Sequence, residues 1–402
     1  MSNNKRILVL GGGVYQVPII KKIIEMGYEA LCIDYNPNSV GFSYATSYSV
    51  IDVLDKNACF EYAKINNISA VLTFGATLPL TTVAYIAEKL ALPAISAETA
   101  ELATSKYAIK KRLAECGCNI YGNFFEMKSW NDVKKHSFDF PCVIKPCDGS
   151  GSKGVSLVYS REMLENAIIA AFGAARYGRI YEERFIQGEE DTVEAFVTKK
   201  QIYVYAIIKT TFKKNDDGTV EYGHRTPSGL SKEKETLISE EIKKAISALK
   251  INMASVNFDV ILSDDGKPYI IDCGIRVGQN LIASHIIPYS RGVDIIENTI
   301  KQALCEKFDA EPKYNLCIAT RLLIYKPGII SQIKNYRELI GKNNIIDIVL
   351  RKGVGEKQDL FRDKSDSCGW VITRGKTPDE AELAAKRAKS VIEDYIIFDR
   401  NV

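Results

Sequence analysis

Three kinds of pattern are missing from this sequence, and each absence removes a class of protein. There is no run of like charges and no Arg-rich arm, and the 53 Lys and Arg residues nearly balance the 50 Asp and Glu residues. A surface for nucleic acid or for a membrane is therefore not expected. No apolar run reaches the length of a membrane span, and the short run at the start lacks a small-residue cleavage site. The short apolar run at the start instead predicts a buried first strand.

The cysteines also form no recognisable site. There are 10 of them, they are scattered, and the only close pair is Cys116 and Cys118. No CxxC motif or Cys/His cluster has zinc spacing. Ordinary reduced thiols, mostly buried, in a cytoplasmic protein explain them. We find no internal repeat and no low-complexity linker.

The order of predicted elements indicates several packed parts. The 402 residues are 46% apolar, enough for roughly two to four domains. Strand and helix patterns alternate over the first hundred residues, which predicts a parallel sheet with right-handed crossovers. After a helix that begins at Lys106, the pattern changes to strand, glycine-rich loop and strand. We predict α/β architecture with boundaries at 1–105, 106–180, 181–310 and 311–402, the last a small α+β domain.

Two further local features are expected. Residues 213–219 are polar and predict a loop, and a hairpin is expected around the turn Asp264–Asp265–Gly266. The first glycines, Gly11 to Gly13, follow strand one, and Asp34 ends strand two, which is similar to a dinucleotide fingerprint. The third glycine of that fingerprint is replaced by Gln16. We therefore interpret the loop as a tight βα turn rather than an NAD site.

A lysine and a glycine-rich loop suggest phosphate binding. Lys145 ends a predicted strand, and the sequence Gly-Ser-Gly-Ser-Lys-Gly occupies residues 149–154. Backbone N–H groups and hydroxyls of such a loop can fold over phosphate oxygens, and no helix or core is expected to need the lysine. A mobile hairpin tip is the alternative. The strand end that follows, 182–190, can hold an adenine ring and ribose hydroxyls, or it is simply a charged strand edge.

Two carboxylates are predicted to face each other across the hairpin. Asp259 lies on one strand and Asp272 on its partner, each among apolar residues. Mg²⁺ prefers few carboxylates together with waters and phosphate oxygens, and a bound cation would relieve two neighbouring anions. Arg276 follows four residues later and suits a transferring phosphoryl group. The alternative is an Asp–Arg salt bridge at a strand end.

In this order and spacing, these features resemble the ATP-grasp superfamily over nearly the whole chain. The nearest branch includes the carbamoyl-phosphate-synthase-like ligases and the L-amino acid ligases, with a Rossmann-like domain before the two ATP-grasp subdomains. The resemblance implies ATP and Mg²⁺ as cofactors, one or two ions. It implies nucleotide contacts by Lys106, Lys145, Ser150, Gly151, Ser152, Gly154, Glu183, Arg184, Ile186 and Glu190. It also implies metal binding by Asp259 and Asp272 and catalytic roles for Lys145 and Arg276.

The sequence departs from the family pattern at one position. Gly274 stands where relatives usually have an Asn that helps to bind a second Mg²⁺, which weakens the expectation of two ions. In the amino acid ligases, a stretch comparable to His224–Arg225 borders the acceptor pocket. These two residues could hold a substrate carboxylate, or they are a structural His beside a surface Arg.

The resemblance implies a ligase that activates a carboxylate as an acyl phosphate, releases ADP and phosphate, and joins the carboxylate to an amine. No Ser–His pair or activated Cys stands among the matched positions to form a covalent acyl-enzyme. No biotinylation motif or glutaminase domain is apparent, which argues against biotin carboxylation and carbamoyl phosphate synthesis. Two alternatives stay open: an acyl-phosphate enzyme of nucleotide metabolism, and a non-catalytic nucleotide-binding protein. The expected partners are small molecules, and a homodimer is compatible with the sequence.

Overall fold

The computed structural model describes residues 5–149, 151, 153–215, 218–278, 281–362 and 366–399. The first part is a parallel sheet in the order β3-β2-β1-β4, flanked by helices. Its strands are β1 (Arg6–Leu10), β2 (Glu29–Asp34), β3 (Ser47–Val50) and β4 (Ala70–Leu72). Its helices are α1 (Val17–Glu25), α2 (Lys56–Ile65), α3 (Leu80–Leu90) and α4 (Ala97–Leu102). This confirms the Rossmann-like start that the alternating pattern predicts.

The first glycine loop is already occupied by the chain's own side chains. The backbone N–H of Gly12 donates to the Asp34 carboxylate at 2.7 Å. The buried Gln16 side chain packs against Gly11 and donates to the carbonyl of Phe74. Because Gln16 takes up the space beside the loop, the geometry favours a structural turn over a dinucleotide site.

A four-stranded antiparallel sheet in the order β5-β8-β6-β7 follows helix α5 (Lys106–Glu115). Its strands are β5 (Phe124–Met127), β6 (Cys142–Pro146), β7 (Ser156–Val158) and β8 (Ile180–Arg184), with helices α6 (Trp130–Lys135) and α7 (Arg161–Ala174). Helix α5 begins where the Ser105 hydroxyl accepts the N–H of Ala108. The backbone N–H of Lys106 donates to the Cys147 carbonyl at 2.7 Å, so the helix start lies beside the end of β6.

An eight-stranded sheet, in the order β13-β12-β9-β10-β11-β14-β18-β16, forms the rest of the scaffold. Its strands are β9 (Gly188–Val197), β10 (Ile202–Asn215), β11 (Gly218–Thr226), β12 (Ala254–Ser263), β13 (Pro268–Gly274), β14 (Cys317–Leu323), β16 (Ile345–Leu350) and β18 (Gly369–Gly375). A small sheet joins β15 (Gly328–Ile333), β17 (Lys357–Gln358) and β19 (Ile396–Asp399). The helices are α8 (Lys232–Ala248), α9 (Ile287–Arg291), α10 (Ile295–Ala303) and α11 (Pro378–Glu393), with one π-helical turn at Ile282–Ile286.

The two faces of the large sheet have different roles. One face packs on α5 and α8 through apolar residues such as Val193, Val256 and Ile242. Side chains alternate along a strand, so the neighbouring positions Thr192, Glu194 and others point to the opposite face. That opposite face carries the candidate site. In the part of the chain that the structure describes, no helix is long and apolar enough to cross a bilayer.

One sequence expectation is wrong. The polar segment 213–219 is not a loop, because Lys213 pairs with Val220 and Asn215 with Gly218, so the described residues extend β10 and β11. Only 216–217, at the tip, lie outside the described residues. A polar hairpin has no apolar alternation to mark it as a strand, and cross-strand hydrogen bonding decides its conformation.

Candidate active site

Three neighbouring strands bring the two aspartates together. Asp259 on β12 lies directly opposite Asp272 on β13, as the hairpin predicted. On its other side, β12 pairs with β9, where the Thr192 hydroxyl donates to the Asp259 carboxylate at 3.0 Å. Directly paired residues project to the same face of a sheet. The two carboxylates therefore form one half-buried anionic site.

The two aspartates differ in their electrostatic environment. Burial, and then the negative charge of Asp272, raise the pKa of Asp259. Burial would also raise the pKa of Asp272, but the ammonium groups of Lys106 and Lys145 outweigh it and hold that pKa at about 2. Lys106 makes a direct ion pair with Asp272. The pKa of Asp272 is thus held low by its cationic neighbours, whereas no cation among the described residues lies at ion-pair distance from Asp259. A bound cation would balance the charge of Asp259.

A buried cluster of charges lies beside this pair. Lys145 at the end of β6 and Lys110 on α5 both make ion pairs with the carboxylate of Glu183, and all three side chains are buried. The Lys145 ammonium also lies 5.3 Å from the centre of the Tyr181 ring. Burial opposes ionisation of Glu183, but Lys110 and Lys145 overcome it and lower its pKa. We expected that no helix or core needs the Lys145 side chain for its packing. This expectation is wrong, because Lys145 is buried in an ion pair with Glu183.

Lys110 is a site residue that the sequence reasoning missed. It is four residues after Lys106, and residues at this spacing lie on the same face of a helix. Lys106 points to Asp272 and Lys110 to Glu183, so one face of α5 supplies cations to both anionic groups. The four-residue spacing from Lys106 could have identified Lys110 from the sequence alone. Glu183, which was expected to contact the nucleotide, also binds both lysines through its side-chain carboxylate.

The other residues of the expected nucleotide segment lie along β8 and β9. Glu190 is accessible to solvent, yet the surrounding protein, and then Asp259, raise its pKa to about 7. Ile186 is buried, whereas Arg184 is exposed and forms an ion pair with Asp139 at 3.2 Å. Glu190 therefore lies near the aspartates, and the side chain of Arg184 is directed to a surface partner.

The glycine-rich loop connects β6 with β7. Gly151 and Gly154 have φ angles of +65° and +72°, which side chains rarely adopt. A Cβ on Gly154 would lie 2.6 Å from the Cβ of Ala174, so this glycine lets the loop pack against α7. Ser150 and Ser152 lie outside the described residues.

Arg276 follows the β12–β13 hairpin and approaches the same face. Its guanidinium donates to the Val277 carbonyl at 3.0 Å, and its charge lowers the pKa of Asp259 against the effect of burial. Glu194 is a second residue that the sequence reasoning missed. It is fully buried on β9, accepts hydrogen bonds from the N–H of Gly278 and from Asn257, and so ties the segment after Arg276 to the sheet.

His224 and Arg225 do not form one site. His224 is buried, its Nε2 lies 3.1 Å from the Glu221 carboxylate, and its ring stacks on Trp370. Arg225 instead makes ion pairs with Asp379 and Glu382 of α11. Successive residues of a strand point to opposite faces, which explains the separation. The geometry favours a structural role for Arg225.

Comparisons with known proteins agree with this arrangement. Residues 138–284 match the ATP-grasp domain, and residues 321–393 match the L-amino acid ligase C-terminal domain 2. The L-amino acid ligase from Bacillus licheniformis is similar over 100% of both chains, with a TM-score of 0.80 and 20% identity. The biotin carboxylase domain dimer of Hydrogenobacter thermophilus 2-oxoglutarate carboxylase, solved with MgADP, ADP and bicarbonate, covers 98% of this chain and 91% of that chain, with a TM-score of 0.77 and 17% identity.

The matched regions cover less than half the length of these curated relatives. The carbamoyl phosphate synthase large chain of Thermotoga petrophila is 23% identical over 310 residues, which are 72% of this chain and 27% of that protein. Across such curated relatives, the chain spans between 14% and 49% of their length. Together with the parallel first sheet, the matches confirm the resemblance drawn from the motifs: the chain carries an ATP-grasp domain followed by an L-amino acid ligase type of C-terminal domain.

Proposed function

We propose that the protein is an ATP-dependent carboxylate–amine ligase that forms an acyl phosphate and releases ADP and phosphate. The observation that carries this proposal is that Lys106, Lys145 and Arg276 meet the Asp259–Asp272 pair at one face of the large sheet. Phosphoryl transfer needs positioned cations and little covalent chemistry from the protein. This set of side chains supplies those cations around two carboxylates.

The same residues fit the cofactors that we propose, ATP and Mg²⁺. Two carboxylates placed opposite each other, one with its pKa raised by the other, favour a divalent cation between them. Asp259 and Asp272 would hold Mg²⁺, which when bound supplies Lewis-acid polarisation of a phosphate oxygen. Lys106 and Lys145 would contact the phosphates, and the loop 149–154, with Ser150, Gly151, Ser152 and Gly154, would close over them.

The adenosine would lie along β8 and β9. Glu183, Arg184 and Ile186 would border the adenine, and Glu190 would accept hydrogen bonds from ribose hydroxyls. In this arrangement the side chain of Glu183 holds Lys145, so its main chain is the part that faces the base. The domain boundaries that we propose are 1–105, 106–180, 181–310 and 311–402.

The two chemical steps assign different roles to the protein groups. A substrate carboxylate oxygen would attack the γ-phosphorus of ATP in line, and ADP would leave. Arg276 and the lysines would neutralise charge on the transferring group. The amine would then attack the acyl carbon, and phosphate would leave with the bonding electrons. A closed glycine loop would exclude water, because a wet acyl phosphate would hydrolyse. The substrates would be small molecules, with His224 near the acceptor pocket.

Trapping the intermediate tests this function. With ATP, Mg²⁺ and the correct carboxylate, hydroxylamine in place of the amine should give a hydroxamate, with ADP and phosphate accumulating in step. Release of AMP and pyrophosphate would mean adenylation and would contradict the proposal. A screen of carboxylates for ADP release would find the substrate, and nucleotide binding without any carboxylate-dependent ADP release would favour a non-catalytic protein.

One structural feature requires a control in that experiment. Ser284 Oγ lies 2.7 Å from His285 Nδ1, and Nε2 of the same ring lies 3.8 Å from the Asp347 carboxylate. This Ser–His pair is not among the site residues that the family resemblance implies. A covalent acyl-serine would also react with hydroxylamine. Hydroxamate formation should therefore persist in Ser284→Ala, and its loss there would support an acyl-enzyme instead.

Lys145→Met should weaken nucleotide binding by about 10- to 100-fold, the range expected for the loss of a charge-assisted hydrogen bond. Met keeps most of the buried volume, and Glu183 keeps its ion pair with Lys110. Titration of a fluorescent ATP analogue measures the affinity. Lys110→Met is the matched control, since Lys110 has the same carboxylate partner but no expected phosphate contact. Equal losses of affinity in the two variants would argue against a phosphate contact by Lys145.

A further inference from the structure

Gly274 makes room for the arginine that follows it. A Cβ placed on Gly274 would lie 3.3 Å from the Cγ, Nε and Cζ atoms of Arg276, so the arginine side chain folds back over the glycine. Any larger residue at position 274 would push against this side chain. A Cβ at position 274 would require the arginine side chain to shift by a few tenths of an ångström, and a longer side chain there would compete with it for the same space.

The folded-back guanidinium lies among the acidic groups of the site. Residues 272 and 274 are two positions apart on β13 and project to the same face, so the guanidinium over Gly274 lies on the face that carries Asp272. On the adjacent strand, Asp259 lies opposite Asp272 and Asn257 opposite Gly274. Arg276 thus places a fixed positive charge beside the aspartate pair, on the side where β13 carries Gly274.

The residue across from Gly274 is held by a hydrogen bond to a buried carboxylate. Asn257 on β12 pairs directly with Gly274, and its side-chain N–H donates to Glu194 at 3.1 Å. A second divalent cation at this place would meet a guanidinium instead of an oxygen ligand. Mg²⁺ demands a nearly octahedral set of oxygens, and a neighbouring cation opposes its binding.

We propose that the site binds a single divalent cation, held by Asp259 and Asp272, and that the Arg276 guanidinium occupies the place of a second. This inference rests on the proposed function, because it takes the aspartate pair as the metal site. It goes further because it gives the number of metal ions per site and names the side chain that limits this number. The positive charge that a second ion would bring is then part of the polypeptide.

Counting bound Mn²⁺ tests the proposal without any turnover. Mn²⁺ is titrated into the protein saturated with a non-hydrolysable ATP analogue, and free Mn²⁺ is followed by electron paramagnetic resonance. The wild-type chain should bind one Mn²⁺ per bound nucleotide. Two ions of comparable affinity would overturn the inference and leave the proposed function standing. A chain that binds neither nucleotide nor Mn²⁺ would overturn both.

Two variants examine the role of Gly274 itself. Gly274→Asn displaces the flexible end of Arg276 and adds an amide oxygen, so it should bind a second Mn²⁺. Gly274→Ala adds the same Cβ without the amide oxygen and should keep one. If the asparagine variant, folded and binding nucleotide normally, still takes one ion, then Arg276 does not hold the second place.

Discussion

Replacement of Asp272 by Asn should abolish ATP turnover while the chain stays folded. Asp272 is the firmly ionised member of the aspartate pair, with a pKa held at about 2 by Lys106 and Lys145 against burial. Losing this carboxylate removes a ligand of the proposed Mg²⁺ site, and the expected loss of several kcal/mol corresponds to a fall in rate of about 10³-fold or more. Stability should fall, because a pKa held this low means that the ionised carboxylate favours the folded state, but the fold should persist because Lys106 is partly exposed.

ADP release in the presence of the substrate carboxylate measures this effect, and circular dichroism reports whether the variant is folded. Asp264→Asn is the matched control, since Asp264 is an exposed residue in the turn of the same hairpin. It should keep wild-type turnover. Near-normal ADP release by folded Asp272→Asn protein would remove Asp272 from the metal site and would leave its ion pair with Lys106 as a structural contact.

Glu183→Gln should lower the free energy of unfolding by about 3–5 kcal/mol, the range measured when one partner of a buried ion pair is removed. The carboxylate of Glu183 is shared by Lys110 and Lys145, and all three side chains are buried. Glutamine keeps the volume but leaves two buried ammonium groups close together. Urea unfolding of wild type and variant at neutral pH measures the difference.

Glu182→Gln is the control for this change. Glu182 is the preceding residue and is also buried, but burial and then Asp139 raise its pKa to about 7. In the unfolded chain, the Glu182 carboxyl ionises near its ordinary pKa of 4.5. The free energy of unfolding of the wild type therefore falls as the pH rises from 4.5 to about 7. Glu182→Gln should therefore be as stable as wild type or more stable at pH 7. A large loss of stability in Glu182→Gln at pH 7, or no loss in Glu183→Gln, would contradict the charges assigned to these two side chains.

Much of this site follows from the sequence because the relevant geometry is local. The turn at 264–266 predicts the hairpin, although a β-bulge between Asp259 and Val260 is needed to set Asp259 opposite Asp272. Lys145 lies near the end of β6 and therefore beside the glycine-rich loop. The alternation of strands and helices is enough to predict the parallel first sheet, whereas the bulge leaves no pattern in the sequence.

Other features depend on contacts between distant segments, which no local pattern carries. Glu183 gathers two lysines from different elements, and Glu194 joins β9 to the chain after Arg276. The direction of Arg225 is set by α11, more than 150 positions later in the chain. These roles appear only when the tertiary fold is known.

The strand order of the large sheet also constrains the chain during its synthesis. β11 ends at Thr226, but its outer neighbour β14 begins only at Cys317, after the whole β12–β13 hairpin has been made. Until then the nascent protein presents an open strand edge, which can pair with another chain and aggregate. The segment from Cys317 onward therefore protects the preceding part of the chain, and fragments that stop before it should be prone to aggregation when expressed alone.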